Sequence, residues 1–207
     1  MNAFFNAIKG HPLELAFKTL AYYGLRRSEL LGMKWSSVDF INKTISVNHK
    51  VLVIERKILV SDKLKTESSN RTLPLIPEIE KQLLKHKAEI EKNRAHLGKA
   101  YKTKYSDFIF VNTIGELILP DTLSHSFGKV LKAHGLKRIR LHDLRHSCAS
   151  IMLARGVQIK QLQEWLGHSN YSTTADVYSH LDFSSKIQSA QTIASALAPN
   201  SHNRSEL

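Results

Sequence analysis

Cysteine is almost absent from this chain of 207 residues, since Cys148 is its single thiol. An intrachain disulfide is therefore excluded, which is typical of a reducing compartment. The small neighbours in Ser147-Cys148-Ala149-Ser150 favour a buried core thiol over a nucleophile. The sequence also lacks an apolar run of the roughly 18 residues that a membrane-spanning helix needs, and no secretory signal opens it. We therefore expect a soluble protein of the cytoplasm.

Acidic residues are few relative to basic ones. Eighteen Asp and Glu stand against thirty Lys and Arg, which gives a formal net charge of +12. Such an excess favours a polyanionic partner, because lysine and arginine that neutralise phosphates release condensed counterions. Nucleic acid is the leading candidate. An anionic membrane surface or an acidic protein would exploit the same charge, so these alternatives stay open at this point.

Apolar spacing and helix-ending glycines predict a mainly α fold with one small antiparallel β-sheet, an α+β class. The expected helices cover residues 12–24, 28–35, 77–96, 121–134, 142–155, 158–166 and 184–198. Asp121 is the expected cap of the fourth of these. The expected sheet strands cover residues 44–47, 51–54, 57–60 and 71–75, and a short buried strand covers 108–111. The charged helix at 77–96 is predicted to be a solvated surface element.

The run Leu141-His142-Asp143-Leu144-Arg145-His146 places an imidazole and a guanidinium three residues apart. On a helix these two side chains share one face, and together they suit a phosphate group. His142 and His146 also have the spacing of a zinc pair. The sequence offers neither the matching glutamate nor a third ligand, so we do not expect a metal. Alone, the pattern is weak, because surface helices carry it by chance.

Three further runs contain residues that phosphate chemistry uses. They are Gly24-Leu25-Arg26-Arg27-Ser28-Glu29, then Lys65-Thr66 with Arg71-Thr72-Leu73-Pro74-Leu75, and Leu166-Gly167-His168 with Tyr178 ten residues after His168. Taken alone, each run is more often without a catalytic role. Arginines of a turn are usually solvated, a lysine of a turn is usually mobile, and a tyrosine is usually a half-buried packing residue. In the first run, Glu29 either pairs locally or holds the turn while Arg26 points inward.

Taken in order along the chain, the four runs resemble the tyrosine recombinase (phage integrase) family over about residues 12–181. The phrase Leu-Gly-His-Ser-x-x-Ser-Thr-Thr-x-x-x-Tyr makes the joint match specific. Within this family, the sequence resembles the integrases of phages and conjugative transposons in particular. The resemblance implies a DNA recombinase that works without metal, cofactor or ATP.

The resemblance also implies a role for each of six residues. Tyr178 attacks the scissile phosphodiester and forms a 3′-phosphotyrosyl bond, and Lys65 protonates the leaving 5′-oxygen. Arg26 and Arg145 bind the non-bridging oxygens in the transition state. His168 adds a hydrogen bond to the phosphate, and His142 acts as general base or binds the phosphate. Arg27 and Lys63 compete with Arg26 and Lys65, but the phrases Gly-Leu-Arg and Lys-Thr favour the latter two.

The implied partners are double-stranded DNA and, from the family, further subunits in a tetrameric synapse, with no membrane. Basic residues leading into the 142–155 helix are expected to contact the DNA backbone: Lys129, Lys132, Lys137, Arg138 and Arg140. We expect a catalytic domain at residues 1–183 without the family's N-terminal DNA-binding domains. A C-terminal helix at 184–198 is expected to pack within the chain or on a neighbouring subunit, before a polar tail at 199–207.

Two other classes of function compete with the recombinase. A non-catalytic DNA-binding module of integrase type would keep the fold without cleavage, although all six candidate residues are present. A basic RNA- or membrane-associated protein would leave the four runs as coincidence. Among enzymes, a type IB topoisomerase uses similar residues, but the Leu-Gly-His phrase and the compact length favour a recombinase.

Overall fold

A computed structural model describes residues 1–55, 57–61 and 70–167 of the chain. Helices make up most of the regular structure in these ranges. They are α1 (Asn2–Ala7), α2 (Glu14–Tyr23), α3 (Arg27–Leu31), α4 (Pro77–Leu97), α5 (Pro120–Ala133), α6 (Asp143–Ala154) and α7 (Ile159–Leu166). The strands are β1 (Val38–Asp39), β2 (Thr44–Val47), β3 (Lys50–Ile54), β4 (Lys57–Ser61) and β5 (Arg71–Pro74). The predicted fold class, mainly α with small antiparallel sheets, is confirmed.

The strands form two antiparallel sheets, so the prediction of one sheet was wrong. One sheet has the order β1-β2-β5, with Ile45 opposite Leu73, and the other is the hairpin of β3 and β4, with Leu52 opposite Leu59. The chain leaves the first sheet at His49, where its backbone lies against α3. A Cβ built on Gly32 would lie 2.6 Å from the Lys50 Cα, so only glycine allows this approach.

Several other boundaries differ from the predictions. The second predicted helix is shorter, since α3 ends at Leu31, and the predicted strand at 108–111 is wrong. That segment is buried but makes only isolated bridges, from Phe108 to Lys34 and from Val111 to Leu117, so it lacks the continuous partner that a strand needs. Asp121 lies in the first turn of α5 rather than at its cap, which is Leu119. The short elements α1 and β1 were not predicted.

The buried core of the described chain draws on the helices and on the sheet of β1, β2 and β5, and α1, α2 and α5 meet in one part of it. Phe4, Phe17 and Phe127 meet there, with ring centroids 5.5 to 6.3 Å apart. Helix α4 buries only Ile79 and Leu83, as expected of a solvated charged helix. No helix among the described residues is long and apolar enough to cross a membrane.

The ends of α2 and α7 meet beside α6. Helix α2 ends at Gly24 with φ 60°, and α7 ends at Gly167 with φ 68°, both in the left-handed region where glycine is favoured. Helix α6 packs against both α2 and α7. These helices therefore bring together the Gly-Leu-Arg run, the His-Asp-Leu-Arg-His run and the start of the Leu-Gly-His run. The first and last of these runs are more than 140 positions apart in the sequence.

Candidate active site

Arg26 stands at the N-terminus of α3 in an extended conformation, two residues after Gly24. Its backbone N–H donates to Oε2 of Glu29 at 3.0 Å, and its Nη1 donates to Oε1 of the same carboxylate at 2.5 Å. Its Nη2 donates to the Gly167 carbonyl at 3.4 Å. The Arg26 side chain keeps 39% of its surface exposed, so one side of the guanidinium is open to a ligand.

Glu29 is a buried carboxylate, only 3% exposed, shared between two arginines. Besides Arg26, it accepts a hydrogen bond from Nη2 of Arg71 at 3.1 Å. Burial alone would raise the pKa of Glu29, but the charges of Arg71 and Arg26 and their hydrogen bonds lower it overall. Glu29 is therefore ionised at neutral pH, and it both pairs locally with Arg26 and holds the turn through the Arg26 backbone N–H.

Arg145, on α6, is 3% exposed and bridges two helix ends. Its Nη1 donates to the Gly24 carbonyl at 2.6 Å and its Nη2 to the Leu166 carbonyl at 2.8 Å. Burial, followed by the charge of Arg26, lowers the pKa of Arg145 to about 9, and Glu29 opposes this shift. The guanidinium therefore still carries its proton at neutral pH, in a place where little water screens it.

Arg71, at the start of β5, completes the cluster. Its Nε donates to the Trp165 carbonyl at 2.7 Å, and its side chain is only 6% exposed. A Cβ built on Gly167 would lie 2.7 Å from Nη1 of Arg71, so the helix end can approach the arginine only because residue 167 is glycine. Carbonyls at the C-terminal end of α7 are good acceptors for these cations, because they carry the negative end of the helix dipole.

The cluster as a whole contains three arginines and one carboxylate: Arg26, Arg71, Arg145 and Glu29. It therefore has an excess of positive charge over the side-chain carboxylate that balances it. Arg26 and Arg145 reach neighbouring carbonyls, those of Gly167 and Leu166. Such an arrangement is suited to an anion with several oxygen acceptors, such as a phosphodiester.

His142 lies at the N-terminus of α6, with its ring centroid 5.2 Å from that of His146. Partial burial lowers the pKa of His142, and the charges of His146, Arg145 and Arg140 lower it further, against the opposing effect of Asp143. The imidazole is therefore neutral at pH 7 and able to accept a proton. No group of three or more metal-ligating side chains occurs among residues 1–55, 57–61 and 70–167.

His142 also lines a cleft of about 1060 Å³ between α5 and the segment that leads into α6. Four of the five basic residues predicted to contact DNA line it as well: Lys129, Lys132, Arg138 and Arg140. The fifth, Lys137, is exposed but does not line the cleft. The floor is apolar, with Leu25 and Phe127 among its residues.

The structure separates the adjacent Arg26 and Arg27. Arg27 points to the start of α5, where its Nη1 donates to the Pro120 carbonyl at 3.2 Å and to Oγ of Ser124 at 2.8 Å. It lines the cleft and makes none of the contacts of the arginine cluster described above. The two arginines, between which the sequence left the choice to a motif, therefore have different surroundings in the fold.

Three of the six candidate catalytic residues, Lys65, His168 and Tyr178, lie outside the described residues, as does the predicted helix at 184–198. Of the other three, Arg26 and Arg145 belong to the arginine cluster, and His142 lines the neighbouring cleft. Sequence reasoning gave Arg71 no role, although it opens the Arg-Thr-Leu-Pro-Leu run. Cys148 is a buried thiol, 5% exposed, and burial raises its pKa to about 11, as expected of a core cysteine.

Known proteins match this chain over most of its length. The model of the family described as "Phage integrase family" matches residues 1–185. The tyrosine recombinase XerC-like protein of Caldanaerobacter subterraneus subsp. tengcongensis is 31% identical over 196 residues, covering 90% of this chain and 50% of that protein. The ICEBs1 integrase of Bacillus subtilis is 30% identical over 166 residues, covering 80% of this chain and 44% of the relative.

Solved structures give the same result. The Tn1549 transposon integrase in complex with transposon right end DNA matches with a TM-score of 0.77 and 26% identity, covering 93% of this chain and 64% of that one. The chain spans about half the length of the curated relatives it matches. Since the family model covers most of the chain, the resemblance stated from the sequence is confirmed, and the chain belongs to the phage integrase family.

Proposed function

We propose that this chain cleaves and rejoins double-stranded DNA as a tyrosine-type site-specific recombinase of a mobile genetic element. The observation that carries the proposal is the pairing of Arg26 and Arg145 on adjacent carbonyls at the end of α7, directly before His168 in the sequence. We expect such a protein to act on DNA in the cytoplasm. Relatives of this chain include the transposase of Tn916 from Enterococcus faecalis.

The two arginines supply the positive charge that the transition state needs. A guanidinium has five N–H donors, and the two carbonyl bonds of Arg145 use two of them. Remaining donors of Arg145 and the open side of Arg26 would bind the non-bridging oxygens of the scissile phosphate. Because these donors are fixed before the reaction, they stabilise developing charge without reorganisation.

The covalent step exchanges one phosphodiester for another. Oη of Tyr178 attacks phosphorus while the bond to the 5′-oxygen breaks. The tyrosine proton passes to His142, whose lowered pKa leaves it neutral and able to receive it. Lys65 protonates the departing 5′-oxygen, and His168 adds a hydrogen bond to the phosphate. The 3′-phosphotyrosyl ester keeps the bond energy, so the reverse attack by a 5′-hydroxyl rejoins a strand without ATP.

The remaining partners follow from the same proposal. The basic cleft residues Lys129, Lys132, Arg138 and Arg140, with Lys137 beside them, would contact the DNA backbone. Exchange of strands between two sites requires further subunits, in a tetrameric synapse. The helix predicted at 184–198 would pack within the chain or on such a neighbour.

The test uses suicide duplexes with randomised sequence around a nick, so that the cleaved fragment with its 5′-hydroxyl diffuses away and the adduct accumulates. Wild type, Tyr178→Phe and the matched control Tyr171→Phe are compared on denaturing gels, and trapped DNA is sequenced. We expect an SDS-resistant adduct with wild type and Tyr171→Phe only. An adduct in Tyr178→Phe would mean that another residue is the nucleophile. Salt-sensitive DNA binding without any adduct would favour the non-catalytic binding module.

A further inference from the structure

Arg71 holds together the two parts of the chain that carry the arginine cluster. One end of its guanidinium binds Glu29, which is 42 positions away, and its Nε binds Trp165, which is 94 positions away. Its side chain is 6% exposed, so the arginine is held within the fold between the two segments. A buried arginine that bonds two separate segments is suited to fix their relative position.

We propose that Arg71 is a positioning residue for DNA cleavage, which acts through Glu29 on Arg26 and through Trp165 on the end of α7. This inference rests on the proposed recombinase function. Arg71 does not touch the phosphate in this scheme. Instead, it fixes the positions of the residues that bind the phosphate.

The first route runs through the shared carboxylate. Oε2 of Glu29 accepts from Arg71 and from the Arg26 backbone, which leaves Oε1 for the Arg26 guanidinium. With Arg71 removed, the buried Glu29 would have Arg26 as its single guanidinium partner in the described cluster. Its negative charge would then hold Arg26 more strongly and compete with the phosphate for it.

The second route runs through the end of α7. The Arg71 side chain fills the space beside Gly167, whose carbonyl accepts from Arg26. Tyr23 strengthens the same connection, because its ring stacks on Trp165 and its hydroxyl accepts from the Ile76 N–H at 2.8 Å and donates to the Pro74 carbonyl at 3.1 Å. Strand β5 and helix α7 are thus joined by Arg71 and by Tyr23. His168 follows Gly167 directly in sequence, so the chain that leaves α7 starts from a point that Arg71 fixes.

Lysine cannot replace Arg71 in this position. The bonds to Glu29 and Trp165 come from different nitrogens of one planar group, whereas lysine offers a single ammonium on a flexible stem. Arg71→Lys therefore retains the charge and loses the simultaneous bonds, and Arg71→Gln loses both. A comparison of the two separates the effect of charge from that of position.

The experiment measures single-turnover adduct formation at saturating DNA, on the sequence that wild type cleaves best. Two substrates are compared: one with an ordinary scissile phosphate and one with a methylphosphonate, which lacks the negative charge that Arg26 and Arg145 neutralise. The proteins are wild type, Arg71→Lys, Arg71→Gln and Arg26→Ala. Two controls accompany them: Arg94→Gln, an exposed arginine on α4, and Phe127→Leu, a core variant away from the cluster. Unfolding by urea gives the stability of each protein.

We expect both Arg71 variants to cleave the phosphate substrate about 10²-fold more slowly than wild type, the scale of loss for a small displacement of reacting groups. On the methylphosphonate the ratio of variant to wild-type rate should be nearer to one, as for Arg26→Ala, because less charge has to be neutralised. Arg94→Gln should match wild type on both substrates. Phe127→Leu should have the same ratio of variant to wild-type rate on the two substrates, whatever its stability.

Wild-type rates in both Arg71 variants would overturn the inference and leave the recombinase function intact. So would a loss of rate in the Arg71 variants that is equal on the two substrates, as expected for Phe127→Leu, and that is accompanied by a loss of stability. An absence of adduct with wild type itself would overturn the proposed function, and this inference with it.

Discussion

Gly24 and Leu166 approach so closely that a Cβ on Gly24 would lie 2.5 Å from Cδ2 of Leu166 and 3.3 Å from Sγ of Cys148. The contact joins the end of α2 to the end of α7. The Gly24 carbonyl also accepts from Arg145, which donates to the Leu166 carbonyl as well. The glycine therefore has both a conformational role, with φ at 60°, and a packing role.

Substitution of Gly24 by alanine should destabilise the fold more than the same substitution at two other glycines. Gly24→Ala should lower the free energy of unfolding by about 3 kcal/mol, because left-handed strain adds to overpacking. Gly156→Ala, at φ 82° with open space around its Cβ, should lose about 1 kcal/mol from strain alone. Gly128→Ala, inside α5 with open space and no positive φ, should gain about 0.5 kcal/mol. Urea unfolding measures all three, and equal losses for Gly24 and Gly156 would mean that Leu166 gives way.

The neighbours Arg26 and Arg27 should differ sharply in their effect on cleavage. Arg26→Ala should slow adduct formation by about 10²- to 10³-fold at saturating DNA, the scale for loss of one donor to a developing charge. Arg27→Ala should leave the rate at saturation near wild type, because Arg27 bonds to Pro120 and Ser124 instead of the cluster. Single-turnover kinetics measure both rates, and DNA binding is measured in a Tyr178→Phe background. A larger loss of rate in Arg27→Ala would reverse the assignment.

The cleft should reveal phosphate contacts through the salt dependence of DNA binding. Lys132→Gln should reduce the slope of log K against log salt by about 0.9 for each phosphate contact that is lost. The matched control is Lys92→Gln, an exposed lysine on the solvated helix α4, which should leave the slope unchanged. Fluorescence anisotropy over a series of salt concentrations gives both slopes. An unchanged slope in Lys132→Gln would place the DNA elsewhere on the surface.

Local signals in the sequence explain what could be predicted. The ends of α2 and α7 were predictable because Gly24 and Gly167 end helices by conformations that other residues avoid. The contact of Arg26 with Glu29 was within reach for a similar reason, since the two residues are three positions apart and meet on one turn.

What the sequence did not reveal depends on contacts between distant positions. The strand run of residues 44–75 divides into two sheets because β2 pairs with β5 and leaves β3 and β4 to pair with each other, and no local pattern decides this choice. Arg71 was missed likewise, because its partners Glu29 and Trp165 come near it only in the folded chain. The segment 108–111 was assigned a strand from its apolar residues, but burial alone does not supply a hydrogen-bonded neighbour.

Acid should destabilise the fold in part through His142. Since its pKa in the folded chain is lowered from 6.5, the unfolded chain binds a proton at a pH where the folded chain does not. The free energy of unfolding contributed by this residue is therefore complete above the unfolded pKa and is lost as the pH falls from about 6.5 through the folded pKa. His11, whose pKa burial also lowers, adds to the same trend.

Replacing His142 should therefore reduce the difference in unfolding free energy between about pH 7.5 and about pH 5. His142→Gln removes the group whose protonation opposes folding, whereas the control His134→Gln removes an exposed histidine just after α5 and should keep the wild-type difference. Urea unfolding at both pH values measures the effect. If His142→Gln retained the full difference, His11 or another group would carry the acid sensitivity. The neutral imidazole that we propose as proton acceptor for Tyr178 would then need support from the pH dependence of cleavage itself.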